Sequence, residues 1–228
     1  MKANSKEEKM YKSKISDGQE ILYMSDWITE LEKKEHFAYY WKQAFLVYQH
    51  SSRQDKILEL GVGTYLLSDL LHRRGFSIKT LDIDEDKHAD FTCDALSFEY
   101  NQESFDTLLA FEVFEHMPYD TFSKVIEKVT QSTISKILFS LPYSRRRIFS
   151  LDVKLPFVIK KSLNMFRHIG HISTPAHHWE LSRKTRRDTG IKHFISEKSL
   201  MDNFENQGWK MHLVGKIDHI NFYTADRV

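Results

Sequence analysis

One stretch narrows the possible folds of this chain more than any other: 57-ILELGVGTYLLSDLLHRRGFSIKTLDID-84. An apolar run ends at Gly61 and Gly63, a helical pattern follows, and a second apolar run ends in aspartates. Runs that are apolar at nearly every position suit strands covered on both faces. Strands that alternate with helices imply right-handed parallel crossovers. The alternation continues. "DTLLAFEV" and "KILFSLP" read as further strands, "DFTCDAL" as a weaker one, and helical stretches fall at 65–74 and 120–133. The predicted class is α/β, with a doubly wound, largely parallel sheet.

The two glycines stand where the first strand hands over to the first helix. They permit a tight turn and close approach of a ligand to the backbone, and the helix N-terminus adds free N–H groups. Such a turn in an open α/β sheet is the usual seat of a nucleotide. Asp82 ends the second strand about 20 residues on, where a carboxylate can accept from both ribose hydroxyls. Asp84 takes that role if the strand ends two residues later. Asp94, in "CDAL", ends the third run, beside the place of an adenine. A dinucleotide fingerprint needs a third glycine where this chain has Leu66, and no Lys-Ser/Thr pair follows to cradle a triphosphate. Residues 57–142 carry a net charge of −8. A pyrophosphate is poorly served there, and a nucleoside with a cationic tail is served well.

The flanks differ in character. Residues 20–50 show helical spacing, through Ile21, Tyr23, Met24, Trp27, Ile28 and Leu31 and then Phe37, Tyr40, Trp41, Ala44, Phe45 and Tyr48. Residues 1–55 are therefore expected to be an N-terminal helical extension. Residues 56–228 form the main domain, with an insert at 144–193 that breaks the alternation and carries a net +9. Ser196 and Gly208 bound a last helix. "WKMHLVGKI" and "HINFYTADRV" are joined too tightly for a crossover and should pair antiparallel. No apolar run approaches the roughly 18 residues of a membrane span. The charged first residues do not read as a secretory signal, and Cys93 is the only cysteine. These features favour the cytoplasm.

"LELGVGT" resembles the first motif of class I S-adenosylmethionine-dependent methyltransferases, with its E-x-G-x-G core. "TLDID" resembles their ribose-binding segment, "CDAL" the D-A pair that meets adenine, and "FDTLLAFEVFEHM" the fourth-strand segment of many small-molecule and lipid-type members. The resemblance implies a Rossmann-like seven-stranded sheet of order 3-2-1-4-5-7-6 with strand 7 antiparallel. It implies S-adenosyl-L-methionine as cofactor, held by Glu59, Gly61, Gly63, Asp82, Asp94, Ala95, Phe111 and Glu112. "SLPY" at 140–143 is not the signature of nucleic-acid amino-methyltransferases, since it has one proline and follows the fifth strand.

Methyl transfer from a sulfonium mainly requires alignment of the acceptor with the methyl group and exclusion of water. A base helps where the acceptor must lose a proton early. His116, one turn past the fourth strand, is the first candidate to face the acceptor, followed by His177 and His178 in the insert. Histidine-rich loops without cysteine are more often solvated or substrate-facing than zinc sites, so no metal is expected. The expected acceptor is a small or carrier-borne molecule. The clusters 145-RRR-147 and 183-RKTRR-187 would favour an anionic one, or RNA as the alternative. A non-catalytic, cofactor-binding regulatory subunit is the third reading, and the intact glycines and aspartates argue against it.

Overall fold

The computed structural model describes residues 11–24, 34–153, 161–187 and 192–228. Its centre is a seven-stranded sheet. Strands β3 (Lys56–Leu60), β4 (Ser77–Asp82), β5 (Phe91–Thr92), β6 (Thr107–Phe111) and β7 (Lys136–Pro142) run parallel, in the spatial order β5-β4-β3-β6-β7. Strand β14 (Ile220–Arg227) lies antiparallel to β7, and β13 (Trp209–Ile217) pairs with β14 at the edge. Numbered by appearance within the sheet, the order is 3-2-1-4-5-7-6.

The apolar runs explain why the sheet is covered on both sides. Successive residues point to opposite faces. Ile57, Leu109, Leu138 and Phe222 therefore pack under helices α1 (Lys34–His50) and α2 (Leu66–Arg73), against Ala44, Val47, Leu67 and Leu71. Their neighbours Leu58, Leu108, Ala110 and Phe139 face the other way. They pack under α3 (Tyr119–Thr130) and α4 (Glu197–Asn206), against Phe122, Val125, Ile126, Leu200 and Phe204. Ser196 caps α4 by accepting from Ser199 N at 3.0 Å.

One expectation is corrected. Of the helix foreseen over 20–50, Lys34–His50 is helical, residues 20–24 are not, and the part over 25–33 lies outside the described residues. Before it, β1 (Tyr11–Ser16) and β2 (Gln19–Met24) form an antiparallel hairpin. The reason is Asp17-Gly18: φ values of 50° and 72° make the doubly left-handed two-residue turn that matches strand twist. The helical spacing of Ile21, Tyr23 and Met24 was thus fortuitous. Among the described residues, the insert builds strands of its own. Strands β8 (Arg145–Val153) and β9 (Lys161–His168) make a second hairpin. Strands β10 (Trp179–Ser182), β11 (Arg186–Arg187) and β12 (His193–Ser196) make a small sheet.

Candidate functional site

A cavity of about 310 Å³ opens at the carboxyl ends of β3, β4 and β6, where open α/β sheets bind ligands. Glu59, Gly61, Gly63, Asp82, Asp94, Ala95, Phe111, Glu112 and His116 all line it. His177 and His178 do not; they stand behind His116.

The floor is the turn after β3. Gly61 has φ 75°, and a Cβ built there would come within 2.6 Å of Val113 Cγ2. Gly63 has φ 52° with open space where its side chain would be, and its carbonyl accepts from Lys87 Nζ at 2.9 Å. Tyr65 is also left-handed, with φ 64°, and precedes α2. Asp82 fastens this turn to the next strand: Oδ2 accepts from Val62 N at 3.0 Å and Oδ1 from Asp84 N at 2.8 Å. Burial raises the Asp82 pKa against the pull of these two N–H groups. Asp84 is more fully buried and is occupied otherwise, accepting from Asp86 N at 3.3 Å and standing 3.6 Å from Lys12 Nζ.

At the far end, Asp94 Oδ1 accepts from Leu96 N at 3.0 Å, Ser97 N at 3.1 Å and Ser16 Oγ at 2.8 Å. Burial alone would raise its pKa; the hydrogen bonds outweigh burial and leave it lowered. Ser16, Ile21 and Tyr23 make the β1–β2 hairpin one wall of the cavity. Sequence reasoning missed that wall, although Asp-Gly between alternating residues is a hairpin signal. It also missed Tyr40, whose hydroxyl meets Thr64 Oγ1 at 3.0 Å, and His219 and Phe222 near the start of β14.

The chain after β6 is strained. Glu112 has φ 56°, held by Ser140: Glu112 N donates to Ser140 Oγ at 3.1 Å, and that hydroxyl donates to Glu112 Oε1 at 2.8 Å. Strain of this kind costs about 1–3 kcal/mol and gathers at ligand sites. Burial raises the Glu112 carboxyl to about 8, and burial lowers His116 to about 3. His116 Nδ1 donates to Ala176 O at 3.2 Å, and His178 N donates to Glu115 O at 2.8 Å. These bonds tie the insert to the loop after β6. Trp179 is fully buried and donates from Nε1 to Met117 O at 3.1 Å.

None of the six arginines of the two basic clusters lines the cavity. Arg145 donates to Asp218 O and Asn221 Oδ1, Arg147 pairs with Asp218 at 2.8 Å, and Arg186 lies over the Phe194 ring.

Glu59 carries the clearest pH signature. It is buried with Oε2 unpartnered, and burial raises it from 4.5 to about 8, with a hydrogen bond from Ser68 opposing and Asp82 and Asp69 adding. A carboxyl raised on folding stabilises fully below its unfolded pKa. That contribution is lost as pH climbs from about 4.5 to about 8, at up to about 1.4 kcal/mol per pH unit. Glu59→Gln, measured without cofactor, should therefore melt higher than the parent at pH 8–9 and show a flatter Tm profile. Glu112 and Glu115, also raised by burial, account for the slope that remains. Parallel profiles would mean that Glu59 is charged throughout.

Residues 22–214 match the family model described as "Methyltransferase domain". No curated protein matches in sequence. Among solved structures, the fold is similar to 1,6-didemethyltoxoflavin-N1-methyltransferase from Burkholderia thailandensis (TM-score 0.55, 10% identity, 88% of this chain and 81% of that one). It is similar to magnesium protoporphyrin IX methyltransferase from Synechocystis PCC 6803 (0.54, 13%, 85% and 84%). It is also similar to the small RNA methyltransferase HEN1 (0.53, 13%, 84% and 25%). The family match spans most of the chain, and the glycine turn and the strand-end aspartates lie within it. The chain thus belongs to the methyltransferase-domain family and is a class I S-adenosylmethionine-dependent methyltransferase.

Proposed function

We propose that this enzyme transfers the methyl group of S-adenosylmethionine to a small acceptor that enters the same cavity beside Glu112 and His116. The observation that carries this reading is the continuity of one cavity. The glycine turn, Asp82 and Asp94 line it together with Glu112, His116, Ser140 and His219. Asp82 is assigned to the ribose. Its oxygens each accept one N–H, and a carboxylate has about four acceptor sites, so capacity remains for two hydroxyls. Asp94 and Ala95 are assigned to the adenine end. The floor at Gly61 and Gly63 is assigned to the tail of the cofactor, with Phe111 and Glu112 flanking it.

The lining also bears on the acceptor. Its only lysine or arginine among the described residues is Lys87, against Asp82, Asp84 and Asp94, while burial raises the carboxyls of Glu59 and Glu112 to about 8. That balance suits a sulfonium and disfavours the anionic acceptor that the charge of the insert suggested. Tyr23, Tyr39, Tyr40, Phe111 and Phe222 suit an uncharged or cationic acceptor with an apolar body. Alignment and exclusion of water do the work, with the insert backing the wall at His116. The single cysteine, Cys93, half-buried and unpaired, supports a reducing compartment such as the cytoplasm.

Calorimetry with S-adenosylhomocysteine tests the cofactor seat. Asp82→Ala should weaken binding about 10- to 100-fold, as expected from lost charge-assisted hydrogen bonds of about 1.5–3 kcal/mol. Equal affinity in variant and parent would free Asp82 of the ribose. Serine at the six arginines should leave turnover of a small acceptor unchanged. A steep salt dependence of acceptor binding, lost in that variant, would transfer the reading to RNA.

A further inference from the structure

We propose that Glu115, His116 and His177 form a binding site for one divalent transition-metal ion, zinc by preference, at the back of the cavity wall. This goes beyond the methyl-transfer reading and is tested by metal binding, not by turnover. It also departs from the expectation that the histidines of the insert hold no metal.

Four observations carry it. Glu115 is fully buried, and neither of its carboxylate oxygens has a hydrogen-bond partner in the structure. A buried carboxylate left without partners is costly and calls for a counter-ion or a ligand. The donor atoms of Glu115, His116 and His177 all lie within 4.8 Å of one another. His177 Nε2 is 4.0 Å from Glu115 Oε1. Donors around one tetrahedral zinc stand about 3.3 Å apart, so modest side-chain rotation closes the set.

Both imidazoles are oriented from behind. His177 Nδ1 is 2.9 Å from Glu180 Oε1, and Glu180 in turn accepts from Ser173 N at 2.7 Å. His116 Nδ1 donates to Ala176 O at 3.2 Å. In each ring the Nδ1 proton is thereby taken, and in His177 the free Nε2 is the atom that faces Glu115. A carboxylate or a carbonyl behind each ligating histidine is how proteins orient such ligands and raise their basicity. The rings meet edge to face with centroids 4.9 Å apart. Finally, the frame is rigid. The bonds from His178 N to Glu115 O and from Trp179 Nε1 to Met117 O fix the insert against the loop that carries Glu115 and His116.

Two nitrogens and one carboxylate with a vacant fourth position suit zinc, with cobalt and manganese as weaker occupants. Glu115 and His116 come from the loop after β6 and His177 from the insert, so one ion would join the sheet to the insert. His116 also lines the cavity, so the ion would sit one imidazole away from the acceptor end.

The test uses the full chain, stripped with a chelator and desalted. Calorimetric titration with zinc should give one equivalent bound and a Tm several degrees higher. Cobalt should give visible absorption bands of a four-coordinate nitrogen and oxygen set. His177→Gln should lose the site. Glu180→Gln, which keeps all three donors, should weaken it about 10- to 100-fold. His171→Ala, at an exposed histidine outside the cluster, should change nothing. Should His177→Gln fail to fold, Glu180→Gln and the cobalt spectrum still decide. No zinc, cobalt or manganese bound by the folded parent would overturn the proposal. So would zinc binding that His171→Ala removes and Glu180→Gln leaves intact.

Discussion

Gly61→Ala should leave a protein that no longer binds S-adenosylhomocysteine measurably and that melts well below the parent. Two effects combine. At φ 75° a side chain is strained, at roughly 1–2 kcal/mol for the left-handed region. The new methyl would also stand 2.6 Å from Val113 Cγ2, a contact that forces the turn or the loop after β6 to move. Both line the cavity, and a displacement of about 1 Å in a positioning element can cost about 100-fold. A double variant separates the two effects. Val113→Ala removes the methyl that collides, so Gly61→Ala/Val113→Ala should recover stability relative to Gly61→Ala while remaining below the parent. Strict additivity of the two substitutions would show that the collision is not the cause, because neighbours in contact are expected to couple.

Trp179→Ala should be the most destabilising single change in the insert. The indole is wholly buried, 5.2 Å from Tyr119 edge-on and 5.3 Å from Phe122, and its Nε1 satisfies Met117 O. Truncating a buried Trp costs about 3–5 kcal/mol, or a fall in Tm of roughly 6–20 °C for a chain of this size. Trp179→Phe keeps most of the area, loses the hydrogen bond and should cost far less. If the Ala variant melts within a degree or two of the parent, the insert is not docked on α3. A docked Trp179 also predicts that loosening it disturbs His116, since the bonds His116–Ala176, His178–Glu115 and Trp179–Met117 join the same two segments.

What was legible in the sequence follows the physics of burial. The central parallel strands β3, β6 and β7 are covered on both faces and show as largely apolar runs, whereas β4 and the short β5 are marked less clearly. "KILEL" and "KILFSLP" need no partner to be recognised. The left-handed requirement at Gly61 and Gly63 is local, and so is the cap at Ser196. The β1–β2 hairpin was obscured because its apolar residues are few. A short two-stranded element exposes much of its surface, and Ile21 and Tyr23 fit a helical spacing as well as a strand. Only the turn residues Asp17-Gly18 distinguish the two. The cluster behind His116 was obscured for another reason. Glu115 and His116 are 61 or more residues from His177, and nothing local in "HHWEL" reveals which histidine turns inward. The charge balance of residues 143–193 is an average in the same way, and it does not show that Arg145 and Arg147 are engaged with Asp218 and Asn221.

The position of β14 has a consequence for how this molecule comes into being. Strand β13 precedes β14 in the chain, yet among the described residues β14 is its one neighbour in the sheet. During folding, β7 can join β6 by a local crossover, yet its other edge stays bare until residues 220–227 insert between β7 and β13. For that interval the folding protein presents an unpaired, apolar edge through Leu138 to Leu141, the kind of surface that invites pairing with another chain. The acceptor end is unfinished for the same interval, because Ile220 and Phe222 line the cavity. Pairing of residues 220–227 with β7 is therefore the step that both closes this edge and completes the cavity.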